Sequence, residues 1–167
     1  MADPKRTEHL AGRTLRNDFT LVNMADVLFW LPVLTIDAAL NDSDKLIVVP
    51  AAKQWIIQSI AVNLISTAIV GNRQMRVDIR DGSANLLASV AAGAIQTASL
   101  TRDFTFAPGL VNQTAFVDDI LITSFPEGII LLPAYDVRIY DSAAVDAAAD
   151  DMIVRLLVRE RDDPVTT

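Results

Sequence analysis

The sequence has no cysteine and a single histidine, His9, among its 167 residues. Without cysteine the chain can form no disulfide, thiolate metal site or cysteine nucleophile. A cupin-type metal site needs several histidines, which this chain lacks. A Ser-His-Asp triad would have to use His9, and the G-x-S-x-G motif of many serine hydrolases is absent. The sequence therefore predicts no catalytic residue, no metal site and no cofactor.

Basic residues and long hydrophobic runs are also scarce. The chain carries 14 lysines and arginines against 21 acidic residues, a net charge of −7. Binding to nucleic acid needs a basic surface, so we expect no nucleic-acid partner. The longest apolar run, from Val27 to Ile36, contains Pro32 and is far shorter than the roughly 18 residues of a membrane span. No signal-peptide pattern is found near the start, and we expect no membrane partner.

Apolar residues are abundant, since 51% of the chain is hydrophobic and the mean hydropathy is +0.34. The length suits one domain, which can bury a substantial core without disulfides. Two explanations of the apolar excess remain open. The chain either has apolar surface beyond its core, as in an oligomer interface, or simply a core rich in alanine and valine.

The clearest pattern in the sequence is a β-hairpin in residues 73–90, "RQMRVDIRDGSANLLASV". Met75, Val77 and Ile79 alternate with polar residues, so a strand would place all three on one face. The Asp81–Asn85 stretch has the composition of a turn, and a second apolar run follows it. A slip of one residue would expose all three side chains, so we predict that this face is buried.

Similar strand-like segments precede and follow the hairpin, and turn residues separate them. They are "VLTI", "KLIVVP", "QWIIQSIAVNLISTAIV", "IQTASLTRDFTF", "QTAFVDDILITSF", "IILLP", "YDVRIYD" and "MIVRLLVRER". Nine or ten short strands without a convincing helix are typical of a sandwich or barrel. The predicted fold is all-β, an antiparallel β-sandwich that is jelly-roll-like and preceded by an N-terminal arm.

Acidic residues offer two further candidates for chemistry. Asp118 and Asp119 are adjacent, so in a strand they would point to opposite faces and could not form one acid/base pair. A polar break between strands explains them better. Four more carboxylates cluster near the C-terminus, in Asp141, Asp146, Asp150 and Asp151. Oxygen-rich loops can hold Ca²⁺, but the EF-hand spacing is missing, so a solvated loop or a single helical turn is the simpler expectation.

Three regions are predicted: an N-terminal arm at 1–30, the β-sandwich at 31–162 and a short C-terminal tail at 163–167. The end of the arm is too apolar to leave in water. Its predicted interface residues are Phe19, Leu21, Val22, Met24, Phe29 and Trp30. An arm laid over a neighbouring subunit could cover the edge strands of a sandwich. The alternative is that Val27–Trp30 forms an ordinary first strand of the same subunit.

Residues 46–160 resemble tailed-bacteriophage virion proteins with a jelly-roll fold, of the capsid decoration (cement) or head-fibre type. The recurring pieces are a long apolar strand, the hairpin strand "GNRQ…RVDIRD", the strand "LPAY…RIYD" and a final "DDMIVRLLV". The resemblance implies a non-enzymatic shell component that forms a homo-oligomer, for which a trimer is our working hypothesis. Residues 1–30 lie outside it.

These observations favour a virion structural protein, a decoration protein that binds and stabilises the phage head. Its expected partners are itself and the major capsid protein, and its expected location is the capsid surface after assembly in the host cytoplasm. The alternative is a receptor- or carbohydrate-binding jelly-roll module of a fibre or tail, which would need exposed Trp or Tyr rings. A sandwich-fold hydrolase would need two inward carboxylates, which the pattern does not supply.

Overall fold

The structure, a computed structural model, describes residues 30–164, and this part of the chain contains ten β-strands. The strands are β1 (Leu31–Asp37), β2 (Asp44–Val48), β3 (Lys53–Ile65), β4 (Met75–Arg80), β5 (Leu86–Ala91), β6 (Thr101–Pro108), β7 (Ile120–Phe125), β8 (Ile130–Leu131), β9 (Asp136–Asp141) and β10 (Asp151–Asp162). Within the same residues there is no helix long and apolar enough to cross a membrane.

The strands form two sheets whose order follows from nested pairing. One sheet has the order β1-β10-β3-β6-β7, with β8 paired to β3, and the other has the order β2-β9-β4-β5. Four antiparallel pairs nest inside one another along the chain: β1 with β10, β2 with β9, β3 with β6, and β4 with β5. Successive pairs lie in alternate sheets, which is the arrangement of a jelly roll. The prediction of an all-β, jelly-roll-like sandwich is confirmed.

Two parts of the strand assignment differ from the prediction. β7 pairs with β6 in parallel, so the sandwich is not wholly antiparallel. The segment around Asp118 and Asp119 contains one strand, β7, and not two, because both aspartates have positive φ values of 49° and 62°. Such left-handed residues turn the chain, and the backbone N–H groups of Val117 and Ile120 each bond to the other's carbonyl across that turn.

The inner faces of the two sheets supply the core. Met75, Val77 and Ile79 of β4 are all 0% exposed, which confirms the predicted face of the hairpin. On the opposite sheet, alternate residues of β3, β6 and β10 are buried in the same way. The largest apolar side chains in this layer include Phe104, Phe106, Ile60, Leu64 and Leu156. Burial of each such side chain stabilises the fold by about 1.5–3 kcal/mol.

Candidate functional site

The outer face of β1, β10 and β3 is apolar and bears arginines; we call it the arginine face. Its members alternate along each strand with side chains that point into the core, such as Val154 and Leu156. The members are Trp30, Pro32, Leu34 and Ile36 before and in β1, Asp151, Ile153, Arg155, Leu157, Arg159 and Arg161 in β10, and Ile56, Ser59, Ala61, Asn63 and Ile65 in β3.

Strand register places apolar and arginine side chains side by side on this face. Leu34 lies opposite Leu157, and Ile36 lies opposite Arg155. Arg155 in turn lies opposite Ala61 on β3. Leu34 is 56% exposed and Ile36 is 52% exposed. With strands about 4.8 Å apart and residues rising about 3.3 Å, the three strands cover roughly 300 Å², a size at which apolar patches often mark binding sites.

The charge of the arginine face is opposite to that of the chain, because the face has three arginines and one acidic member, Asp151, which lies at its end opposite Ile65. The side chains of Arg155 and Arg159 form no ion pair and no hydrogen bond with the residues that the structure describes. Arg161 has only neutral partners there: its Nε and Nη2 donate to Gln54 Oε1 at 2.9 Å and 2.7 Å, and its guanidinium lies 4.5 Å over the ring of Trp30. A surface rich in arginine and apolar side chains and poor in Lys, Asp and Glu has the composition typical of protein interfaces.

On the outer face of the second sheet, by contrast, most charged side chains bind neighbours, although Arg76 Nε is buried without a hydrogen-bond partner. Asp78 accepts hydrogen bonds from the hydroxyls of Tyr140 at 2.9 Å and Ser89 at 2.5 Å. Arg138 pairs with Asp44 and stacks 4.2 Å over the Tyr140 ring. Burial raises the pKa of Tyr140, and its hydrogen bond to Asp78 raises it further. These cross-strand contacts hold the sheet together and leave little charge for a partner.

A buried ion pair between Arg73 and Asp150 joins two loops at one end of the sandwich. Both side chains are 0% exposed, and Arg73 Nε and Nη2 donate to the two carboxylate oxygens at 2.8 Å and 3.1 Å. The backbone N–H of Thr67 adds a third bond to Asp150 at 2.7 Å. Burial by itself would raise the pKa of Asp150, but the hydrogen bonds from Arg73 and Thr67 outweigh burial and lower it.

The same loops contain the carboxylates that suggested a cation site. Asp141 Oδ1 accepts the backbone N–H of Gln74 at 2.8 Å, and Asp146 accepts the Thr67 hydroxyl at 2.5 Å. Asp141 and Asp150 are buried, so the expected solvated loop is wrong for these two residues. No group of three or more His, Cys, Asp or Glu side chains that could hold a metal occurs within residues 30–164. Three of the four carboxylates that suggested a cation, Asp141, Asp146 and Asp150, bind donors of the protein.

The predicted interface residues fall mostly outside the described part of the chain. Phe19, Leu21, Val22, Met24 and Phe29 lie there, as does His9. Trp30 is described: it is half-buried and stacks on Arg161 of its own chain.

Asp119 of the adjacent aspartate pair accepts a hydrogen bond from Arg102 Nε at 3.1 Å.

The sequence analysis did not identify Arg155 and Arg159 as members of a functional face. Their spacing along "MIVRLLVRER" was the available signal, since residues four apart in a strand share a face.

One surface cavity borders the arginine face, where β6 and β8 both meet β3. Its volume is about 380 Å³, and its lining includes Ile56, Gln58, Pro108, Glu127 and Arg159. Gln58 is the extra residue of β3 at a register shift opposite Leu157 and Val158. The cavity holds one acidic and one basic side chain but no aromatic ring, so it offers no stacking platform for a sugar.

No protein-family model matches the sequence, and no curated protein does either. Among solved structures, the coat protein of tobacco streak virus is 8% identical, with a TM-score of 0.34 over 80% of this chain and 88% of that one. An exo-β-agarase is 11% identical, with a TM-score of 0.35 over 82% of this chain, which spans 22% of the agarase. Infectious bursal disease virus (Gx strain) is 12% identical, with a TM-score of 0.29 over 81% of this chain and 43% of that one. Scores this low do not establish a shared fold.

Proposed function

We propose that this chain is a structural protein of a virus particle, a decoration protein that binds the head of a phage and stabilises it. Jelly rolls recur in viral capsid proteins, lectin domains and cupins. A cupin metal site needs several histidines, whereas this chain has one. The fold does not decide between a viral capsid protein and a lectin. The decision therefore depends on the surface of the sandwich.

The arginine face is the observation that carries the proposal. It leaves Leu34 and Ile36 more than half exposed on a sheet face with three arginines and one acidic residue, in a chain of net charge −7. Such a face is stabilised when another protein surface covers it. We propose that the chain self-associates and binds the major capsid protein at the capsid surface, after assembly in the host cytoplasm.

The apolar end of the N-terminal arm is the second element of the proposal. We assign intersubunit or capsid contacts to Phe19, Leu21, Val22, Met24 and Phe29, on the basis of their sequence alone. Trp30 joins this segment to the arginine face, where it stacks on Arg161. The predicted division into an arm at 1–30, a sandwich at 31–162 and a tail at 163–167 is part of the same proposal.

A receptor- or carbohydrate-binding role is the alternative, and it would need exposed aromatic rings. Within residues 30–164 the exposed large apolar side chains are all Leu, Ile or Val. Trp55 is 3% exposed, and Tyr135 packs against the core. Tyr140 is occupied by Asp78 and Arg138. These placements favour the structural role over sugar binding.

The first test of the proposed function is the composition of the particle. We expect purified virions to contain this chain in many copies, and we expect particles that lack it to lose integrity at a lower temperature. Adding the purified chain back should restore the heat resistance, because a protein that binds only the assembled capsid stabilises the assembled state by mass action. Mass spectrometry and thermal-release assays measure both quantities. A chain that is absent from virions would overturn the proposal.

The second test concerns catalysis. We expect alanine replacements of His9, Asp118 and Asp119 to leave binding to particles unchanged. Asp119 has one exposed ion pair, with Arg102, and exposed pairs contribute at most about 1 kcal/mol. The triple variant should therefore coat particles like the parent chain in a pull-down by centrifugation. Loss of a measurable turnover in the variant would show that the chain is an enzyme and contradict the structural role.

A further inference from the structure

The arginine face needs an apolar partner that carries negative charge. Its exposed aliphatic side chains surround Arg155 and Arg159, which have no acidic partner among the described residues, and Arg161, which has only neutral ones. A partner that supplied carboxylates would compensate these charges as it covered the apolar surface.

Two copies of the face would cover each other poorly. A two-fold contact centred on Leu157 would bring each patch onto its own image and set Arg155 and Arg159 against the same two arginines, while each face has one carboxylate, Asp151, at its end. Like charges set against each other at an interface cost several kcal/mol. The area is also small, since roughly 300 Å² is well below the roughly 800 Å² per partner of a stable complex. A separate segment therefore fits the face better than a second face.

Residues 17–29 of this chain have the required chemistry. The segment "NDFTLVNMADVLF" has two charged residues, Asp18 and Asp26, and both are acidic. Seven of its other residues are large and apolar: Phe19, Leu21, Val22, Met24, Val27, Leu28 and Phe29. Thirteen residues can span up to about 43 Å, which exceeds the roughly 23 Å length of the face along its strands. We propose that residues 17–29 of one copy bind the arginine face of a second copy.

The choice of a second copy follows from where the segment ends. It ends immediately before Trp30, at the edge of the arginine face, and Leu31 already pairs with Glu160. To cover its own face the chain would have to reverse next to Trp30. Residues 27–31 contain no Gly, Pro, Asn or Asp, the residues that favour tight reversals. Binding to a neighbour requires no such reversal.

This inference rests on the proposed self-association, and a double-mutant cycle tests it. We expect R155Q/R159Q to weaken self-association of the full chain roughly three- to thirtyfold in analytical ultracentrifugation. D18N/D26N should weaken it similarly, and the combined variant should lose little more, because each pair of changes removes the same contacts. A51E/T114E is the matched control: it shifts the net charge by the same −2 at two exposed positions and should change affinity less than twofold. Additive losses, or no loss from R155Q/R159Q, would overturn the inference.

Cross-linking identifies which copy is bound, because the chain has no cysteine of its own. An A25C copy with a size tag is mixed with an untagged A61C copy and treated with a short bis-maleimide. Ala61 lies on β3, opposite Arg155 of the central strand of the face. A cross-linked dimer of one tagged and one untagged copy supports the inference. A link that forms only within a doubly substituted A25C/A61C chain overturns binding to a second copy, and no link at all overturns the docking itself.

Binding to particles separates this inference from the proposed function. If the cross-link fails while the chain still coats virions, residues 17–29 do not occupy the face and the structural role stands. If the chain does not bind virions, the proposed function itself is wrong, whatever the cross-link shows.

Discussion

Replacing Val77 with aspartate is expected to leave little folded protein at 25 °C. Val77 is 0% exposed and lies in β4 between Val90 of β5 and Ile139 of β9. A carboxyl at this position is desolvated, and full burial can raise a carboxyl pKa by about 3–5 units, so that it takes up a proton at a cost of roughly 4 kcal/mol at neutral pH. Loss of the valine adds about 1.5–3 kcal/mol. The total approaches the whole stability of a typical domain, about 5–15 kcal/mol.

A matched control places the same charge on the other side of the hairpin. Ala91 lies opposite Arg76 in the β4–β5 pair and is exposed, so A91D should change the free energy of unfolding by no more than about 0.5 kcal/mol. Urea unfolding followed by circular dichroism measures both variants. A melting curve for V77D close to that of the parent chain would show that the face assignment is wrong.

Removing the carboxylate of Asp150 is expected to destabilise the fold by about 3–5 kcal/mol. D150A leaves the guanidinium of Arg73 buried without its counter-charge, and this is the usual cost of breaking a buried pair. Three neutral acceptors would remain for Arg73: the carbonyls of Ile69 and Gly71 and the hydroxyl of Thr67. They can satisfy hydrogen bonds but do not neutralise the charge.

The double variant R73M/D150L is the control for this pair, because it removes both charges and keeps apolar volume. It should be more stable than D150A, since apolar replacement of a buried pair is often neutral or stabilising. Chemical unfolding of the three proteins gives the comparison. A loss of less than 1 kcal/mol in D150A would mean that water reaches Arg73 and that the pair is not buried in solution.

The pH dependence of the parent chain provides a second measurement on Asp150. Its pKa is lowered in the folded state from an ordinary value of 3.8, so the unfolded chain takes up the proton first. The stabilisation is therefore complete above about pH 4 and is lost as the pH falls through the lower folded-state pKa. The gap in unfolding free energy between the parent chain and D150A should narrow over that acid range.

The alternation of apolar and polar residues along the sequence was sufficient to predict most of the strands and, for the hairpin strand β4, the side that is buried. The face of Met75, Val77 and Ile79 is an example, because side-chain direction in a strand depends only on odd and even positions. The turn at Asp118 and Asp119 was harder to predict. Both residues adopt positive φ, a conformation uncommon for residues other than glycine.

Local sequence determined the hairpin of β4 and β5, the all-β class and the lack of cysteine or histidine clusters. Only the tertiary structure decided which distant residues meet. Asp150 looked like part of an acidic loop until its bond to Arg73, 77 residues away in the chain, showed a buried pair. The arginine face arises in the same way, since β1 and β3 flank β10 from the other end of the chain. Pairing across such separations depends on how the whole core closes, and no local periodicity specifies it.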